Sequence, residues 1–102
     1  MKSFFAAAAF AATFAVGLGA HAQEAAVPDS IVLCSGCHGE QGISLADEIP
    51  NLAGQKKPYL TKALKDYRAN RRNNPTMNAM AANLSDEDIE NLANYFSGLK
   101  RP

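Results

Sequence analysis

The stretch Cys34-Ser35-Gly36-Cys37-His38 constrains this chain more than any other part of it. Two thiols three positions apart share one face of a helical turn, and a histidine directly after the second places an imidazole beside whatever the thiols hold. C-x-x-C-H is the attachment pattern of a c-type haem: each thiol forms a thioether to a vinyl group, and the histidine reaches the iron. A disulfide, a thioredoxin-like redox pair and half of a zinc site compete for the same residues. The redox pair needs a βαβ setting that nothing here supplies. A zinc site of four protein ligands needs one more Cys or His. The chain has two cysteines and two histidines in all, and His21 lies in a segment read below as removed. Covalent attachment of one haem c through Cys34 and Cys37, with His38 on the iron, is therefore the reading.

The beginning of the chain reads as an export signal. Lys2 supplies a charge, Phe4 to Ala20 carry none, and Ala20-His21-Ala22 ends the run in an A-x-A cleavage pattern. The apolar run is rich in Ala and Gly and barely reaches the roughly 20 residues of a membrane span, which favours cleavage over an uncleaved anchor. Residues 1–22 are expected to leave as a signal peptide and 23–102 to form one domain, with no permanent membrane span. At about 80 residues a single apolar core supplies only a few kcal/mol, so something beyond side chains must help. Trp is absent and aromatics are 8% of the chain. A buried cofactor would supply apolar area that the sequence lacks.

Turn residues and apolar spacing divide the remainder into four pieces. Ala25 to about Gly36 is expected as a short helix entered through Pro28, since proline suits a first helical turn, and it delivers the cysteines. From Gly39 to Pro58, Gly42, Pro50 and Gly54 interrupt any period, giving an ordered loop. Lys57 to Asn70 is expected as an amphipathic helix, because Leu60, Ala63, Leu64 and Tyr67 fall at i, i+3, i+4 and i+7. Asn73 to Asn83, with Pro75 and two methionines among polar residues, is expected as a loop. Ser85 and Asp88 form a capping-box pattern that opens a last helix, with an apolar stripe of Ile89, Leu92, Ala93 and Phe96 and a stop at Gly98. No strand pattern or internal repeat is present. The fold class is all-α, with three to four short helices around one covalently bound haem.

Once the leading segment is gone, His38 is the only histidine, which excludes two histidines on one iron within a chain. Met77 and Met80 are then the only methionines. A thioether opposite histidine stabilises Fe(II) and raises the potential. Their spacing does not choose between them, and filling the core is the ordinary use of a methionine. Net charge is zero for the whole chain, which argues against a nucleic-acid binder. The charges are nevertheless segregated. Lys56, Lys57, Lys62, Lys65, Arg68, Arg71 and Arg72 crowd the middle, and Asp86, Glu87, Asp88 and Glu90 lie near the end. The segment from Lys56 to Arg72 is thus a docking candidate for acidic redox partner proteins, against the plainer reading of a solvated face.

These residues together resemble the class I c-type cytochromes. Among them the chain is similar to the short periplasmic proteins related to each half of the dihaem cytochromes c and to the cytochrome subunit of flavocytochrome c sulfide dehydrogenase. The resemblance runs from about Ile31 to Leu99. It rests on Cys34 to Gly39, Ile49-Pro50-Asn51-Leu52-Ala53-Gly54-Gln55, Tyr59-Leu60 with Leu64 and Tyr67-Arg68, Met77 to Met80, and Leu84 to Ile89. It implies a small cytochrome c fold with one haem, there being no second C-x-x-C-H. It also implies that the Pro50 carbonyl accepts the ring N–H of His38 and that Met77, seven residues before Leu84, is the distal ligand, with Met80 as core filler. The function implied is one-electron transfer in the periplasm of a Gram-negative bacterium, by an electron carrier and not an enzyme. A cytochrome subunit bound to a flavoprotein is the second reading, and a haem enzyme or sensor with an open iron position is the third.

Overall fold

A computed structural model describes residues 3, 8–13 and 28–102 of the chain. The cleavage pattern at Ala20-His21-Ala22, the new terminus at Gln23 and the expected helix start at Ala25 lie outside the described residues. Residues 8–13 carry no regular secondary structure. Four helices follow in the order α1 (Ile31–His38), α2 (Lys57–Arg68), α3 (Pro75–Ala81) and α4 (Asp86–Ser97), with no strand among the described residues. None is long and apolar enough to cross a membrane.

α1 starts later than Pro28 suggests. Pro28 precedes the helix in a turn, where its carbonyl accepts the N–H of Ile31 at 2.9 Å, and the helix runs on to His38. α1 ends at Gly39, which has a φ of 87°. A Cβ there would sit 2.1 Å from the Ile43 carbonyl oxygen, so only glycine allows the sharp exit into the next loop.

α4 forms where expected. The Ser85 hydroxyl accepts the Asp88 N–H at 3.0 Å, and the Asp88 carboxylate accepts the Ser85 N–H at 2.9 Å. Asp86, Glu87 and Asp88 occupy the first turn, where the helix dipole favours negative charge. The helix ends before Gly98. Its stripe of Ile89, Leu92, Ala93 and Phe96 is buried, and three of the four join Ile31 of α1 and Leu60 of α2 in one core cluster.

Residues 73–83 depart from expectation. Proline and polar residues suggest a loop, yet Pro75–Ala81 is helical. Asn74 is its N-cap, accepting the Met77 N–H at 3.0 Å, and Pro75 stands at the first helical position. An Asn-Pro pair is a helix start as well as a turn signal, and here the start prevails.

α2 shows why the core is small. Of its apolar face only Leu60 is buried, while Ala63, Leu64 and Tyr67 stay half-buried. Ile89 and Leu92 are the only large side chains among the described residues with under 2% exposure. The α2 face therefore borders a space that side chains do not fill.

Candidate functional site

That space is a cavity of about 480 Å³. α1 supplies Leu33, Cys34, Cys37 and His38 to its wall, and the loop after α1 supplies Ile49, Pro50 and Leu52. α2 contributes Tyr59, Leu60, Ala63, Leu64 and Tyr67, α3 contributes Met77 and Met80, and α4 contributes Leu92 and Phe96. The size lies within the roughly 300–1,000 Å³ of small-molecule sites.

Every site residue read from the sequence borders this one cavity. Cys34 is half-buried and Cys37 exposed, and neither is in a disulfide. Burial pushes the Cys34 thiol pKa up, so in the unmodified chain it is held as the neutral thiol. His38 is only 7% exposed, although an imidazole needs a polar partner to be buried. Its partner is the Pro50 carbonyl, 2.8 Å from Nδ1. A carbonyl can only accept, so Nδ1 carries the proton and Nε2 keeps its lone pair.

The loop between α1 and α2 puts that carbonyl in place. Gly42 accepts the N–H groups of Leu52 and Ala53 at 2.8 and 3.0 Å, pinching the loop so that Pro50 lies under His38. Gly42 has a φ of 70°, and a Cβ would meet the Ala53 nitrogen at 2.8 Å. The Asn51 side chain accepts the Ser44 N–H at 2.7 Å, a second tie across the same loop.

Met77 sits in the first turn of α3, half-buried. Met80, expected as core filler, is 42% exposed and borders the same cavity. A residue that sequence reasoning missed positions this helix. The Asn78 amide donates to the backbone carbonyls of Tyr67 at 2.9 Å and Arg72 at 2.8 Å, and its oxygen accepts the Asn74 N–H at 3.0 Å. One side chain thus ties the end of α2 to the start of α3. No sequence signal marks it, because its partners are backbone groups. Asn70 turns the chain between the two helices with a φ of 57°, a conformation that asparagine tolerates better than most residues.

The basic segment is partly neutralised, by three carboxylates against its seven cations. Lys57 pairs with Glu90, Lys62 and Arg71 both pair with Asp66, and Arg68 pairs with Asp86 at 2.7 Å. Arg68 also donates to the Leu84 carbonyl at 3.0 Å, fastening α2 to the entry of α4.

Two thiols, an imidazole with Nε2 uncommitted and a largely apolar cavity fit a haem held covalently at one edge. A helical fold closed around that donor set defines a covalent haem-binding module. Comparison with known proteins bears this out. Residues 30–100 match the family described as Cytochrome c. Cytochrome c-554(548) of Halomonas halodenitrificans is 46% identical over 76 residues, covering 72% of this chain and 92% of that protein. The cytochrome subunit of sulfide dehydrogenase of Chlorobaculum tepidum is 34% identical over 67% of this chain and 61% of its own length. The crystal structure of reduced recombinant cytochrome c4 from Pseudomonas stutzeri is similar with a TM-score of 0.62 and 40% identity, over 66% of this chain and 38% of that one. This chain thus spans well under half of the cytochrome c4 chain and nearly all of the Halomonas protein. The chain belongs to the cytochrome c family, as a class I c-type cytochrome with the cytochrome c fold. It carries one covalently bound haem c at Cys34, Cys37 and His38, and its role is electron transfer.

Proposed function

We propose that the chain is a periplasmic one-electron carrier of a Gram-negative bacterium, with His38 as the proximal and Met77 as the distal iron ligand. The observation that carries the ligation is the His38–Pro50 hydrogen bond, which fixes the ring tautomer with Nε2 available. When bound, the haem supplies an Fe(III)/Fe(II) couple that exchanges one electron without transforming a substrate. The residues do the rest. Cys34 and Cys37 retain the group, Pro50 orients His38 and raises its basicity, and the apolar wall from α2 and α4 keeps water away. Met77 offers a soft thioether that favours Fe(II). Two methionines bordering the cavity speak against an enzyme or sensor with an open iron position.

Export rests on the uncharged run and the Ala20-His21-Ala22 pattern. Redox partners dock at the segment from Lys56 to Arg72, where Lys56 and Lys65 are the lysines without an ion pair among the described residues. A second reading, a cytochrome subunit bound to a flavoprotein, is favoured by the likeness to the sulfide dehydrogenase subunit. Co-purification of a flavoprotein from the native periplasm separates it from a free shuttle.

The test of the whole reading is the mass of the protein from its native host after denaturation and extraction with acidic acetone. A chain starting at Gln23 with one haem still attached is expected, since thioethers outlast folding. A mass equal to the bare chain overturns it.

A further inference from the structure

α3 carries both methionines that border the cavity, yet apolar packing holds it weakly, since Ala81 is its one buried residue. Polar ties hold it instead, and they converge on two adjacent residues of α2. Near its start, the Asn78 amide donates to the Tyr67 carbonyl at 2.9 Å and to the Arg72 carbonyl at 2.8 Å. Beyond its end, the Leu84 carbonyl accepts from the Arg68 guanidinium at 3.0 Å. α3 thus hangs from the last turn of α2 on both sides.

The two ties differ in kind. Arg68 fastens the chain after α3 and is itself shared with the exposed Asp86 carboxylate at 2.7 Å. Asn78 belongs to α3, is half-buried and directly follows Met77. Both of its N–H donors and its oxygen are engaged, the oxygen by the Asn74 N–H at 3.0 Å. The Tyr67 carbonyl lies in the last turn of α2, where carbonyls have no partner within their own helix. α3 therefore cannot swing away from the cavity without breaking both donor bonds.

We propose that Asn78 is a latch on the sixth iron position: its amide clamps α3 to the end of α2, and release of that clamp limits the entry of an external ligand. The proposal rests on distal ligation by a methionine of α3 and holds for Met77 and Met80 alike. Asn78 is a positioning residue, acting on the iron only through the helix that carries the thioether.

Stopped-flow binding of cyanide to the ferric holoprotein, at saturating cyanide, reads the opening rate, because the methionine must depart first. Asn78→Ala is expected to bind about tenfold faster, through the loss of two hydrogen bonds. Asn78→Asp keeps the shape and the acceptor for the Asn74 N–H but turns a carboxylate toward two carbonyls, and it should bind at least as fast as Asn78→Ala. A role in packing alone would leave Asn78→Asp at the parent's rate, and that result overturns the proposal. Ser85→Ala loosens α4 and leaves the latch intact, so it should bind at the parent's rate. Acceleration in it equal to that of Asn78→Ala would show that opening follows overall stability, which also overturns the latch. The sulfur-to-iron band of the ferric parent separates the latch from the ligation. Its absence overturns both, whereas its presence with parent-like rates in both Asn78 variants overturns the latch alone. Should the Asn78 variants not mature, exchange of the Asn78 side-chain N–H protons in the parent decides. A thioether favours Fe(II), so a clamp that opens with the sulfur exchanges these protons more slowly in the ferrous form. Equal exchange in the two forms refutes the proposal.

Discussion

The ring of His38 and the carbonyl of Pro50 meet at 2.8 Å, although twelve positions of chain separate them. The contact makes the loop between α1 and α2 part of the site, because that loop alone decides where the carbonyl stands. Loosening it should act on stability and on the iron together.

Gly42→Ala tests this coupling. At a φ of 70° and with the Ala53 nitrogen 2.8 Å from the added Cβ, the variant should lose about 1–3 kcal/mol of stability in denaturant unfolding. Its potential should rise, since a weaker hydrogen bond makes His38 a poorer donor to Fe(III). Parent-like values of both would show that the loop does not depend on this turn.

Met77→Ala should abolish the sulfur-to-iron absorption band of the ferric protein and lower its potential, because the soft ligand that favours Fe(II) is lost. Met80→Ala should keep the band. At 42% exposure its stability cost should fall below the ~2–5 kcal/mol typical of a buried methionine. If the Met80 variant loses the band and the Met77 variant keeps it, the two roles are exchanged.

Electron transfer with an acidic partner should slow as salt rises, since exposed charges are screened beyond roughly 10 Å at about 0.1 M. The internal pairs refine the expectation. Lys65→Gln should reduce the low-salt association rate more than Lys62→Gln, whose parent charge is already answered by Asp66. Stopped-flow rates that are flat with salt would reduce the segment to a solubility feature.

Acid should weaken the fold through two aspartates. Hydrogen bonding from Arg68 holds the Asp86 carboxyl below its ordinary range, and hydrogen bonding from Lys62 and Arg71 does the same for Asp66. A carboxyl whose pKa is lower folded than unfolded adds stability above the unfolded value, ~3.9, and loses it as pH falls through the folded one. Thermal midpoints should therefore decline below about pH 4, and the decline should be shallower in Asp86→Asn. An identical slope in that variant would assign the acid sensitivity elsewhere.

How legible each element was depends on where its partners lie. α4 was readable because its capping box joins Ser85 to Asp88, three residues apart, and its stripe repeats at helical spacing. α3 was not, since Pro75 and four polar neighbours match a loop as well as a capped helix. The tie that distinguishes them comes from Asn78 to the end of α2. The face of α2 was visible as apolar, but its half-buried state was not, because burial depends on what is packed opposite.

The sequence by itself determined the chemistry at the cysteines and His38, since attachment needs only residues within one helical turn, and it determined the class of fold. Only the tertiary structure decided the closure of the loop that brings Pro50 to His38, the cavity bordered by all four helices, and the pairing of Lys57 with Glu90 across 33 positions. The physical reason is the same in each case. A contact between neighbours in sequence is set by local backbone geometry, whereas a contact between distant residues exists only after chain entropy has been lost in packing, and many partners compete for it beforehand.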